Sequence, residues 1–171
     1  MLLYTRSKRK RRLMYSLTVI ILILIAISIF SLYGYTQTKK ILVTEGFIEM
    51  NVEKVISVDT LAAVQLKSGC SELSFYISPE QASTISEGTS NVTKFRPMTH
   101  DIFVNTLEGF DIKPIMMKIT KLSENTYYAE LTLQRGNNFL ILDTRPSDAI
   151  AIAVRTDTPI YVNESLTTKV C

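Results

Sequence analysis

No aspartate or glutamate precedes Glu45, and no charged side chain of either sign lies between Leu13 and Thr38. Cysteine and histidine are almost as scarce, with Cys70, Cys171 and the single His100 in 171 residues. Each shortage removes a class of protein. Two cysteines without metal-ligand spacing can build neither a disulfide framework nor a cysteine zinc site, and leave open one bridge in an oxidising compartment. With one histidine, any proton transfer by imidazole must pass through His100. There is no internal repeat of 20 to 50 residues and no low-complexity tract, so a solenoid is excluded as well.

The basic residues are unevenly placed. Arg6, Lys8, Arg9, Lys10, Arg11 and Arg12 precede residue 13, and beyond residue 36 the chain has 13 Lys and Arg against 16 Asp and Glu, a net charge of −3. The pI of 8.8 therefore belongs to a tail and does not argue for a nucleic-acid-binding domain. The uncharged stretch that follows runs from Leu13 to Thr38 and carries Tyr15, Tyr33 and Tyr35 around its apolar centre. As a helix rising about 1.5 Å per residue it is long enough for a bilayer core of roughly 30 Å, with tyrosines as interfacial anchors. The rival reading is a cleaved signal peptide. The length of the apolar run and the lack of a small-x-small site favour an uncleaved anchor. The positive-inside rule keeps the basic tail in the cytoplasm against only Lys39 and Lys40 opposite, so a single-pass protein of the cell membrane with an outward domain is expected. The boundaries are 1–12 for the tail, 13–36 for the transmembrane anchor, 37–46 for a linker and 47–171 for the folded domain.

Within that domain, Phe47 to Val58, Leu61 to Leu66 and the alternating Leu73, Phe75 and Ile77 predict three strands. Ser78 starts a short helix over Pro79 to Glu87, followed by a polar loop from Gly88 to Lys94. Ile115 to Leu122, Tyr127 to Gln134 and Phe139 to Asp143 predict an antiparallel meander, with turns at Ser123-Glu124-Asn125 and Arg135-Gly136-Asn137-Asn138. The fold class is α+β, a mixed or largely antiparallel sheet packed by helices and preceded by the transmembrane helix.

One short pattern occurs twice. Arg96-Pro97-Met98-Thr99-His100-Asp101 and Arg145-Pro146-Ser147-Asp148 each place Arg-Pro, a hydroxyl residue and an aspartate ahead of an apolar helical run. Proline suits a first helical turn and an acid suits the positive end of the dipole, so both read as helix starts. Behind the second, Ala149, Ala151 and Ala153 allow close packing, Arg155 complements the carbonyl end, and Thr158-Pro159 releases the chain into a strand over Ile160 to Val162. The segments RPSDAIAIAVRTDTPIYV, RPMTHDIFVNTLEGF and YYAELTLQRGNNFLILD resemble the bifunctional nuclease domain over about Phe47 to Leu166. The resemblance implies an α+β fold, a homo-oligomer and nuclease activity on DNA and RNA.

Phosphodiester hydrolysis needs an activated water and charge stabilisation at phosphate, most often from a divalent metal held by carboxylates. His100, Asp101 and Asp148 are the catalytic candidates. Arg96, Arg145 and Ser147 are the candidates for substrate binding, Arg145 as a planar fork for phosphate beside exposed helix N–H groups. Asp101, Glu108, Asp143 and Asp148 are the candidate ligands of Mg²⁺ or Mn²⁺. Each has a plainer alternative: a wet polar helix face for Asp101 and Glu108, a surface or capping role for His100, and an internal pair of Arg145 with Asp148 or Asp101. Lys94 and Arg135 can line a path for a polynucleotide, although no basic stripe interleaved with aromatics exists. The second functional class is a membrane-anchored ligand-binding or assembly module without catalysis. Convergence of the two motifs in one open pocket separates the two classes.

Overall fold

A computed structural model describes residues 14–32, 44–90 and 95–171. The chain divides into two units, Met1–Val43 and Thr44–Cys171. In the first, helix α1, Met14–Leu32, is long and apolar enough to cross a membrane, and its apolar side chains are exposed.

The second unit, Thr44–Cys171, is one eight-stranded sheet covered by helices. Its strands are β1 (Phe47–Val58), β2 (Leu61–Ser68), β3 (Ser71–Ile77), β4 (Lys113–Ser123), β5 (Thr126–Arg135), β6 (Asn138–Thr144), β7 (Ile160–Asn163) and β8 (Thr168–Lys169). Its helices are α2 (Pro79–Thr89), α3 (Thr99–Gly109) and α4 (Pro146–Thr156). The order across the sheet is β6-β5-β4-β7-β1-β2-β3-β8. Every neighbouring pair is antiparallel except β4 and β7, so the sheet is mixed through one parallel contact. β7 returns after α4 and joins the β1–β3 meander to the β4–β6 meander. Period-two burial sets the packed face: Val64 and Leu66 of β2, Met117 and Ile119 of β4, Ala129 and Leu131 of β5 and Val162 of β7 are all buried. Fully burying one such large side chain stabilises by roughly 1.5–3 kcal/mol.

α4 lies deepest among the helices, with Ala149, Ile150, Ala151 and Ala153 each no more than 1% exposed. The alanines bring its backbone close to its neighbours. A Cβ on Gly88 of α2 would stand 2.5 Å from Val154 Cγ2 and 2.7 Å from Arg155 Nη1.

Two expectations change. α2 extends through Gly88 and Thr89, which the sequence assigns to a polar loop; Ser90 caps the helix, and residues 91–94, Lys94 among them, lie outside the described residues. α3 begins at Thr99, not at Pro97. Met98 is extended at φ −92° and ψ 178°, and its N–H donates to Asp101 Oδ2 at 2.8 Å. The aspartate thus closes the helix start itself, and Pro97 stays ahead of it, whereas Pro146 does sit in the first turn of α4. The open question of the cysteines is resolved: Cys70 and Cys171 are bonded, with Cα atoms 5.3 Å apart. The bridge fastens the C-terminus beside β8, which pairs with β3.

Candidate functional site

The two Arg-Pro motifs meet in space. Asp148, in the first turn of α4, accepts from Arg145 Nε at 2.6 Å and from Arg145 Nη2 at 3.1 Å. His100, the second residue of α3, brings Nε2 to 3.4 Å from Oδ1 of the same carboxylate. The side chains of His100 and Asp148 are about a quarter exposed, while that of Arg145 is 70% exposed. Its guanidinium is therefore gripped along one edge and wet along the other. The hydrogen bond to Asp148, followed by the charge of Asp148, holds the Arg145 pKa above its ordinary value, so the group stays cationic. Arg145 is also the N-cap residue of α4, and its carbonyl already accepts the N–H groups of Asp148 and Ala149, each at 3.1 Å, while Pro146 has no N–H, so the helix start offers phosphate far fewer free N–H groups than the sequence suggests.

Two cavities flank this contact, and His100 and Asp148 line both. One, of about 190 Å³, is completed by Glu80, Gln81 and Thr84 of α2 with Arg145 and Ser147. The other, of about 290 Å³, has an apolar floor of Phe103, Leu131, Leu142 and Ile152, with Asp143 and Thr144 among its polar linings. A larger cavity of about 590 Å³, between β1 and the C-terminal end of α4, is lined by none of the candidate residues.

The other candidates are placed differently. Asp101 is fully engaged: Oδ2 takes the Met98 N–H and Oδ1 takes Arg155 Nε at 2.7 Å. Arg155, only 10% exposed, also donates to the carbonyls of Thr84 and Ala151, and so ties α2, α3 and α4 together. Of the two internal pairs weighed for Arg145, the one with Asp148 forms, and the partner of Asp101 is Arg155, 54 residues away. Sequence reasoning placed Arg155 at the carbonyl end of its own helix, which it does serve, but missed its hold on α3. Ser147 is buried at 5% exposure, while Arg96, Glu108, Asp143 and Arg135 are exposed.

Of the four carboxylates named for a metal, Asp143 and Asp148 line one cavity, and Asp101 and Glu108 do not line it. Among the described residues, no group of three or more His, Cys, Asp or Glu side chains is gathered so as to hold a metal ion. The arrangement fits a cation only where substrate oxygens complete the set, as Mg²⁺ accepts from one or two carboxylates plus phosphates.

Residues 64–170 match the bifunctional nuclease domain, more than half of the chain and all of the site just described. The chain belongs to the bifunctional nuclease domain family. It is similar to an uncharacterized protein of Mycobacterium tuberculosis, 33% identical over 94 residues, which are 55% of this chain and 56% of that protein. It is also 34% identical over 80 residues to bifunctional nuclease 1 of Arabidopsis thaliana, covering 45% of this chain and 25% of the plant protein. Bifunctional nuclease 2 of Oryza sativa subsp. japonica is 36% identical over 81 residues, 44% of this chain and 24% of its own length. The matches thus span about half of the mycobacterial relative and a quarter of the plant ones. The family match starts at Val64, so β1 and α1 lie outside it.

Proposed function

We propose that this protein is a nuclease anchored in the cell membrane by α1, hydrolysing phosphodiester bonds of DNA, RNA or both on the outer side. The observation that supports the chemistry is the meeting of the sole histidine and Arg145 on Asp148, on the wall common to two cavities. With Asp148 on Nε2, the imidazole carries its proton there and its lone pair on Nδ1. Nδ1 takes the proton of a water attacking phosphorus, the bond from that water to phosphorus forms, and the ester P–O bond breaks. The leaving oxygen receives a proton from the imidazolium. A substrate range that includes DNA requires water in this role, since DNA has no neighbouring 2′-hydroxyl. The outer edge of Arg145 stabilises charge on the phosphoryl oxygens. A bound Mg²⁺ or Mn²⁺, taken by Asp143 and Asp148 together with substrate, would add Lewis-acid polarisation of the phosphoryl group.

The bidentate Arg145–Asp148 pair also supports the second reading, an assembly or ligand-binding module in which these charges serve only to fix two helix starts. The deciding experiment is cleavage of single- and double-stranded DNA and RNA by the full chain in detergent, with and without EDTA. Cleavage that falls about 10²-fold or more in His100→Ala supports the nuclease reading. No cleavage by the unsubstituted chain, with or without added Mg²⁺ or Mn²⁺, would sink it. Loss of cleavage in EDTA, restored by Mg²⁺, places the metal in the reaction.

A further inference from the structure

The alternation that buries Ala62, Val64 and Leu66 of β2 turns Leu61, Ala63, Gln65 and Lys67 to the opposite face of the sheet. Register carries that face across three strands. Ile56 of β1 and Tyr76 of β3 both stand opposite Ala63, and Val58 stands opposite Leu61. At the β1–β2 hairpin end the face is therefore apolar. Ile56, Val58, Leu61 and Tyr76 are each more than half exposed, Tyr76 at 82%. Gathered in two adjacent rows, they form a patch and not the scattered single residues that every surface carries.

The rim of the patch is polar and holds cations. Lys54, Gln65 and Ser74 form the next row on this face, and Lys67 and Glu72 lie in the row beyond. At the tip, Asp59 with φ 50° and Thr60 make the two-residue turn, so the hairpin ends in a charge and its apolar surface lies on its side. A tyrosine within an apolar patch and lysines beside it make the composition of a surface that rests in the headgroup boundary of a bilayer. A bilayer is also within reach. Eleven residues, 33–43, separate α1 from Thr44, a stretch that spans at most about 40 Å. β1, of 12 residues, rises about 36 Å, so even with the strand upright the tether does not keep its far end from the lipid surface. Ile56, Val58, Leu61 and Ala63 moreover precede Val64, where the family match begins, in the same part of the chain as α1.

We propose that this face of the β1–β2 hairpin, with Tyr76 of β3, rests on a phospholipid bilayer. Ile56, Val58 and Leu61 enter the acyl boundary, Lys54 and Lys67 meet lipid phosphates, and Asp59 stays at headgroup level, which keeps the contact shallow. The domain is then held at two points, by its tether and by this face. The inference rests on the reading of α1 as an anchor and does not depend on the nuclease chemistry.

The chain contains no tryptophan, so a single introduced indole reports alone. The test uses the full chain reconstituted into vesicles of phosphatidylcholine and phosphatidylglycerol, with and without bromine on the acyl chains. Tyr76→Trp should shift its emission to the blue and lose about half or more of it to brominated lipid. Leu140→Trp, equally open to solvent but on the far edge strand β6, should keep its emission. Adding Val58→Asp and Leu61→Asp to Tyr76→Trp should abolish the quenching with unchanged circular dichroism. The proposal is overturned if Tyr76→Trp is quenched no more than Leu140→Trp, or if the folded aspartate variant is quenched as before. A blue shift without quenching overturns it too, and shows that protein, such as a second copy, covers the patch. Should the aspartate variant fail to fold, the comparison of the two indoles decides alone. An alkaline carbonate wash separates this inference from the anchor: chain that washes off the vesicles overturns both, and chain that stays without quenching at position 76 overturns the inference alone.

Discussion

Asp148 is shared between an arginine at its own helix start and a histidine from another helix, and that sharing separates a structural role from a chemical one. As a first-turn acid paired with a largely exposed arginine, it contributes about 1 kcal/mol to stability. Asp148→Asn should cost that much in a denaturant titration. If Asp148 only braces the helix, cleavage should be unchanged; if it orients His100, the rate should fall about 10²-fold or more while the fold stays intact. Arg145→Lys keeps the charge and loses the planar fork, so a phosphate clamp predicts weaker substrate binding, measured as a raised KM. Wild-type rates in both folded variants would leave only the structural role. Arg145 and Asp148 were legible in the sequence because they are three residues apart at a helix start, where local rules operate. The Asp101–Arg155 pair was not, because it spans 54 residues and depends on where two helices land on the sheet.

Helices α2 and α4 show how packing overrules local preference. At an exposed helical site Gly→Ala gains up to about 1 kcal/mol of helix propensity. At Gly88 the new methyl meets Val154 and the guanidinium of Arg155, and that guanidinium cannot swing away without releasing Asp101 and two carbonyls. Gly88→Ala should therefore destabilise, by about 1–3 kcal/mol through overpacking, and Ala151→Leu on the buried face of α4 by a similar amount. A melting midpoint at or above that of the unsubstituted chain in either variant would contradict the close approach. Strands and hairpins were readable because alternation and turn residues are local: Glu124 and Asn125, named as a turn, both take positive φ between β4 and β5. Strand order was not readable. Nothing within Ile160 to Asn163 says that it inserts between β4 and β1, a placement set by burial against strands far away in sequence. β8, at two residues, is too short to carry a period.

At the scale of the molecule, charge asymmetry and sulfur chemistry make one joint prediction. The basic residues from Arg6 to Arg12 favour a cytoplasmic N-terminus, and a bond between Cys70 and Cys171, 101 residues apart, persists where thiols are oxidised. Both predict a domain on the outer side of the membrane. Protease added to sealed, right-side-out membrane vesicles should digest the domain without detergent. In those membranes, denatured chain should react with maleimide only after reduction. Moving the six basic residues of 6–12 to the Lys39 side should invert the chain, protect the domain from protease, and leave both cysteines reactive without reductant. The stability change should follow the same inversion, because losing a bridge that closes so long a loop costs about 2–5 kcal/mol. Cys171→Ser should therefore lower the melting midpoint of the chain with its original topology and leave the inverted chain unchanged. A domain protected from protease in intact vesicles, with thiols reactive before reduction, would place it in the cytoplasm and reverse the assignment of sides.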